Sequence, residues 1–308
     1  MNIDLLRQKL GEFLKFSFSE SFVNFSALEG IDEEGYRRYR ITYMGEEGDE
    51  IPAFLLMPEG EGPFGAVLIH HQHASQRHFG KSEVCGYVGD PLQAFGPVLA
   101  GKGIIVLAPD SICFEDRRKN NTGTIPDEQA DMEHHFNEMS YRLVRGDTLM
   151  RKVLSDSAQG ITVLRSLPQV DHERIGILGH SYGGNTVLFH TAVDERIRFA
   201  CSSGAACSYQ FKMANDIGIE AAEVIPGFAT HFDIHHLIAC SSPRNSLIVS
   251  ASEDKFSQDA EAVISKAREL CNNAGTPTTF QHKHYTGGHP ITQERFDYIV
   301  KWIITQTK

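Results

Sequence analysis

Apolar residues change their spacing along this chain, and each change marks a different kind of element. Between residues 36 and 58, Tyr39, Ile41 and Tyr43 alternate with polar neighbours, GEEGDE interrupts, and Pro58 closes the stretch. Alternation with period two around a turn-rich break predicts a hairpin. Further on, apolar residues come in short unbroken runs: Ala66–Ile69, Ile104–Leu107, Ile175–Leu178, Ile197–Cys201 and Leu247–Val249. Such runs suit strands covered on both faces of a parallel sheet. Between the runs the spacing becomes helical. Met150, Leu154, Ala158, Ile161 and Leu164 share one face, as do Val263, Ala267 and Leu270 ahead of Gly275, a suitable left-handed end residue. Phe296, Ile299, Val300 and Ile303 line a last helix, expected to open at His289-Pro290 with proline in its first turn.

Strand and helix alternating in this way predict a doubly wound α/β fold. A mostly parallel central sheet carries helices on both faces, and the N-terminal hairpin adds antiparallel edge strands. The expectation is a single domain over residues 1–308, with 1–30 a helical and loop-like lead. Residues 112–146 and 207–240 do not fit the alternation. Both are long, polar and rich in histidine. They read as insertions over the carboxyl ends of the strands, where open α/β sheets place their ligands.

Composition narrows the function classes. Lys plus Arg is 29 and Asp plus Glu is 40, giving a net charge of −11. That balance argues against nucleic acid as a partner. No run of about 18 apolar residues predicts a membrane span. The six cysteines form no CxxC pair, and the first residues carry no basic segment followed by an apolar one. A reduced, cytoplasmic setting without a signal peptide is the expectation.

The strongest chemical signal is Gly179-His180-Ser181-Tyr182-Gly183-Gly184, with a buried strand before it and a helix after it. A G-x-S-x-G sequence in that context makes a sharp strand-to-helix turn that lifts the serine hydroxyl above the sheet edge. A Gly/Ser turn without chemistry is the bland alternative. Serine at neutral pH needs a base, itself oriented by a carboxylate. In this architecture they follow in the order nucleophile, acid, histidine. Asp254 follows the strand 247–250 and is the expected acid, with Glu253 its rival. A helix-capping carboxylate is the bland use of that position. His289 lies past Gly287-Gly288 in a loop and is the expected base. His282 and His284 alternate on the last strand and read as structural. The oxyanion donors are expected to be the backbone N–H of Tyr182 and that of Gln72 or His73.

His70, His71, His73 and His78 raise the thought of a metal, since imidazole suits zinc. No cysteine or carboxylate lies within three residues of the cluster, and no H-E-x-x-H helix exists. These histidines, like the doublets His134-His135 and His235-His236, read as polar lining of a substrate entrance. Metal and cofactor are both expected to be absent.

Four stretches carry a family resemblance: VLIHHQHASQRHFGKSEVCG, LMRKVLSDSAQGITVLRSLPQVDHERIGILGHSYGG, VIPGFATHFDIHHLIACSSPRNSLIVSASEDKF and HYTGGHP. The chain resembles the α/β-hydrolases of the dienelactone-hydrolase-like group, and within it the branch related to acetyl xylan esterases. The resemblance implies a Ser-Asp-His hydrolase with Ser181, Asp254 and His289 as its triad. It also implies a small-molecule carboxylic ester as substrate and no metal or organic cofactor. Two departures stand out. His71-Gln72 replaces a His-Gly pair, and the loop 110–117 is bulkier than in relatives, with Cys113 and Glu115 expected on the pocket wall. Arg117 and Arg118 offer charge for an acidic substrate group, although salt-bridged pairs are the commoner fate of such residues. A peptidase or other amidase and a non-catalytic binder on the same fold are the rival readings. The first shares the elbow chemistry. The second requires a missing triad member or a plugged pocket.

Overall fold

The computed structural model describes residues 2–18, 24–120 and 122–308. Among the described residues ten strands form one sheet: β1 (Phe25–Ala27), β2 (Ile31–Glu33), β3 (Tyr36–Met44), β4 (Glu50–Pro58), β5 (Phe64–His70), β6 (Ile105–Pro109), β7 (Val170–His180), β8 (Phe199–Ser203), β9 (Asn245–Ala251) and β10 (Phe280–Tyr285). Their order is β1-β3-β4-β6-β5-β7-β8-β9-β10, with β2 paired to β3. From β6 to β10 every pairing is parallel, and β4 joins β6 antiparallel.

The unbroken apolar runs do face both ways. In β5, Val67 and Ile69 pack with Leu99, Phe296 and Ile299, while Ala66 and Leu68 pack with Ile161, Leu164 and Val187. In β6, Val106 and Ala108 join the first group and Ile105 and Leu107 the second. Period-two alternation of two apolar sets explains why these strands show no polar positions. Helices Phe95–Ala100 and Gln293–Gln306 cover one face; Ile3–Phe13, Leu149–Ser166, Tyr182–Val193, Ile234–Ser241 and Ala260–Ala274 lie on the other.

The structure corrects three sequence expectations here. The last helix opens at Gln293 rather than Pro290, because Thr292 accepts the Arg295 N–H and caps it. The lead contains a helix, Ile3–Phe13, and strands from Phe25 onward; residues 19–23 lie outside the described residues. The 207–240 segment is not an insertion throughout. Ile234, Leu237 and Ile238 repeat at helical spacing and are buried, so Ile234–Ser241 is a core helix. No described helix is long and apolar enough to cross a membrane.

Candidate active site

β7 ends at His180 and the next helix begins at Tyr182, so Ser181 alone makes the turn. Its φ of 56° and ψ of −119° put a side-chain-bearing residue in strained backbone. Two glycines permit the close packing this requires. A Cβ on Gly183 would stand 2.2 Å from the His70 carbonyl oxygen, and one on Gly179 would stand 2.3 Å from the Gly183 carbonyl carbon. Ser181 caps no helical N–H with its side chain, so Oγ is left for another partner.

That partner is His289. Its Nε2 lies 2.8 Å from Ser181 Oγ, and its Nδ1 lies 2.9 Å from Asp254 Oδ1. Asp254 follows the end of β9 and His289 follows β10, so neighbouring parallel strands deliver both side chains to the same sheet edge. Asp254 is buried and also accepts the Phe256 N–H and the Ser257 hydroxyl. Burial alone would raise its pKa. The hydrogen bond and charge of His289, with help from Ser257 and the Phe256 N–H, outweigh burial and hold the carboxyl below its usual range. Glu253, the rival acid, is exposed. His282 and His284 share one face, as the alternation predicts, and both bond Ser250 Oγ, at 2.7 and 2.8 Å.

Tyr182 is the first residue of its helix, so its N–H has no acceptor within the helix. Its ring is buried and its hydroxyl meets Ser111 Oγ at 2.6 Å. His73 lines the cleft beside Ser181 and Tyr182, whereas the Gln72 side chain turns to Glu83 at 3.0 Å. The cleft holds about 540 Å³ and also takes Met132, His135, Phe136 and Met139 from one insertion and Ile219 and Glu220 from the other.

Sequence reasoning passed over His180. Its ring centroid lies 4.7 Å from that of His289, its Nδ1 meets Ser203 Oγ at 3.0 Å, and its Nε2 is buried without a partner. Burial, with the nearby His289 charge, pushes its pKa down to about 3, so the ring stays neutral beside His289. Gly204 makes room for both rings, since a Cβ there would stand 2.8 Å from His180 and 3.1 Å from His289. The elbow spelled out His180, but nothing in the pattern told which way its ring would turn.

Arg117 pairs with Asp49 and Asp156, and Arg118 with Asp131, the salt-bridged fate expected as the commoner one, so neither is available to a substrate. Other expectations change. Cys113 and Glu115 are buried and do not line the cleft. Glu115 instead holds Lys81 and the N–H groups of Gly80 and Ser82. The histidines considered as ligands disperse. His70 Nε2 meets Ser157 Oγ, His71 bridges the Gln72 carbonyl and the Ser111 N–H, and His78 packs on Phe79. His236 accepts the Asp233 N–H in a capping box.

Among the described residues, two groups bring potential metal ligands within 4.8 Å of one another: Asp110, Glu115 and Asp116, and His73, His135 and Glu220. The first already surrounds the ammonium of buried Lys81, at 2.7, 2.5 and 2.8 Å. In the second, Nδ1 of His73 accepts the Ser75 N–H and Nδ1 of His135 accepts Arg77 Nε–H. A neutral imidazole that accepts at Nδ1 carries its proton on Nε2, which then donates and does not ligate.

A mostly parallel sheet with a strained serine turn at its carboxyl edge, met there by a histidine and an aspartate from later strands, defines an α/β-hydrolase. The acetyl xylan esterase (AXE1) family matches residues 25–235, and the chain belongs to that family. It is a carboxylic ester hydrolase. YtaP of Bacillus subtilis (strain 168), whose description as a hydrolase is provisional, is 27% identical over 268 residues, covering 83% of this chain and 84% of its own. Two solved structures share the fold. A glucuronoyl esterase from Solibacter usitatus superposes with a TM-score of 0.71 at 12% identity, covering 99% of this chain and 92% of that one. Acetyl xylan esterase 1 from Thermoanaerobacterium sp. JW/SL YS485 gives 0.63 at 19% identity, covering 99% and 93%.

Proposed function

We propose that Ser181, His289 and Asp254 hydrolyse the ester through an acyl-enzyme. His289 Nε2 takes the Ser181 proton as Oγ attacks the carbonyl carbon. Asp254 accepts the Nδ1–H, fixing the tautomer and stabilising the imidazolium. The Tyr182 N–H, at a helix N-terminus, and the N–H of His73 or Gln72 receive the developing oxyanion. The imidazolium then protonates the departing alcohol. A water activated by the same ring attacks the acyl carbon, releases the acid and returns the proton to Ser181.

The observation that carries this reading is the hydrogen-bonded series from Ser181 Oγ through His289 to Asp254 at the mouth of an open cleft. A non-catalytic binder would lack a member of that series or have its pocket filled, and neither holds here. The names of the relatives support an ester of a carbohydrate as the substrate class. The test is turnover of a small 4-nitrophenyl ester by wild type and Ser181→Ala. Loss of turnover in the variant is the expected result, and wild-type rates in the variant would overturn the mechanism. Parallel assays with aminoacyl anilides address the amidase reading, for which slower turnover is expected.

A further inference from the structure

The cleft contains an arginine that no carboxylate of the described residues pairs directly. Arg77 lines it, and its only side-chain hydrogen bond among the described residues runs from Nε to Nδ1 of His135, at 2.9 Å. No carboxylate lies within ion-pair distance of it among the described residues. Most other arginines of low exposure are engaged through their Nη groups; among the described residues, half-buried Arg165, away from the cleft, is unpaired as Arg77 is. Arg7, Arg118, Arg142 and Arg196 meet carboxylates, and Arg244 and Arg295 meet backbone carbonyls. Desolvation of an unpaired guanidinium is unfavourable, so a half-buried arginine lining the same cleft as Ser181 is placed to take up an anion.

The surroundings favour the same ligand. His135 is 1% exposed, and its Nε2 is buried with no partner, 3.9 Å from Glu220 Oε1. With Nδ1 occupied by Arg77, that nitrogen is an unused donor. Burial and the nearby Arg77 charge keep the ring neutral. The charged groups of the cleft lining are Arg77, Lys212 and Lys255 against Glu220 and Glu223. Lys212 and Glu223 cancel at 2.8 Å. Burial, aided by the Glu223 charge, pushes the Glu220 carboxyl up to about 7, which weakens its hold on Arg77. A chain of net charge −11 thus keeps a cationic excess in the lining of this cleft.

We propose that Arg77, oriented by His135, binds a carboxylate carried by the substrate, so that the enzyme prefers esters bearing a free acid group away from the reacting carbonyl. This rests on Ser181 acting as above. Planar guanidinium matches carboxylate with two parallel N–H···O bonds, which fixes direction as well as affinity.

The test uses the full chain and two matched pairs of esters. The first pair, 4-carboxyphenyl acetate and 4-carbamoylphenyl acetate, places the charge on the alcohol side. The second, the monomethyl ester of glutaric acid and the methyl ester of its monoamide, places it on the acyl side. The readout is the acid-to-neutral ratio of kcat/KM within each protein. At least one pair should favour the acid about 10- to 100-fold, the range of a charged hydrogen-bonded contact. Arg77→Gln should bring that ratio to near one, Arg77→Lys should retain part of it, and added salt should lower it in wild type. Equal ratios in wild type and Arg77→Gln, or preference for the neutral ester in both pairs, would overturn the proposal. Binding of 4-hydroxybenzoate, 4-hydroxybenzamide and monomethyl glutarate to Ser181→Ala protein, by calorimetry, separates the two readings. Preference for the acids that disappears in Ser181→Ala/Arg77→Gln upholds the carboxylate site even if no ester is turned over. Turnover of the esters with no such preference sinks the site and leaves the serine mechanism standing.

Discussion

Two chains of serine, histidine and aspartate run through this molecule, built from nearly the same contacts. In the cleft, Ser181 meets His289 at 2.8 Å and His289 meets Asp254 at 2.9 Å. Beneath the helices, Ser157 Oγ meets His190 Nδ1 at 2.7 Å and His190 Nε2 meets Asp194 Oδ2 at 3.0 Å. The second chain has everything a list of distances can ask for. It lacks a place for a substrate. Ser157 sits inside the helix Leu149–Ser166, all three residues are buried, and its hydroxyl is also bonded to His70 Nε2 at 2.9 Å. Asp194 is further tied to Arg196, which reaches Thr162 and the Ala158 carbonyl. That series fastens two helices together. The Ser181 series instead ends on a strained turn, beside an unused helix N–H and an open cleft. Those surroundings separate the two series, and the hydrogen bonds are shared by both.

The comparison is sharpest when each serine is removed. Ser181→Ala is expected to lower kcat/KM by about 10⁴-fold or more, with the unfolding midpoint little changed. Ser157→Ala should turn over esters within about threefold of wild type. It should lose about 1–3 kcal/mol of stability in urea, because two buried ring nitrogens are left unpaired. The aspartates should divide in the same way. Asp194→Asn leaves Arg196 buried beside a neutral group and is expected to cost about 3–5 kcal/mol of stability. Asp254→Asn should act on turnover first, by roughly 10³- to 10⁴-fold, through loss of the correct imidazole tautomer.

How far the sequence anticipated this follows from which residues carry local signals. Ser181 was legible because the elbow is contiguous, and Asp254 and His289 because parallel strands deliver their loops to one edge in chain order. The buried series was not legible. Ser157 lies on one helix and His190 and Asp194, four residues apart, at the end of the next, and only packing brings the first to the other two. The same holds for Arg77 and His135, which meet across 58 residues. Arg117 and Arg118 were expected to find ion-pair partners, but which ones, Asp49, Asp156 and Asp131, is set by the fold. Pro290 looked like a helix start because proline suits a first turn, but Thr292 offers a side-chain cap and wins.

Smaller effects refine the contrast. Gly183→Ala places a methyl carbon against the His70 carbonyl and should destabilise by about 1–3 kcal/mol while reducing turnover. Acid should act on both series through their carboxylates. For Asp194, burial alone would raise the pKa, but the His190 and Arg196 contacts hold it below its ordinary value, as His289 does for Asp254. A folded pKa below the unfolded one stabilises at neutral pH. That contribution fades as pH falls below the unfolded value of about 4 and is gone below the folded one. The urea midpoint should therefore drop from pH 5 to pH 3, and Asp194→Asn should flatten that drop more than Asp254→Asn.

The most direct test of the cleft series is covalent labelling. Wild-type protein treated with a fluorophosphonate, digested and mapped by mass spectrometry should carry one adduct, on Ser181, formed at the rate at which ester turnover disappears. An unlabelled Ser181 in protein that still hydrolyses esters, or inactivation that follows modification of Ser157, would contradict the account.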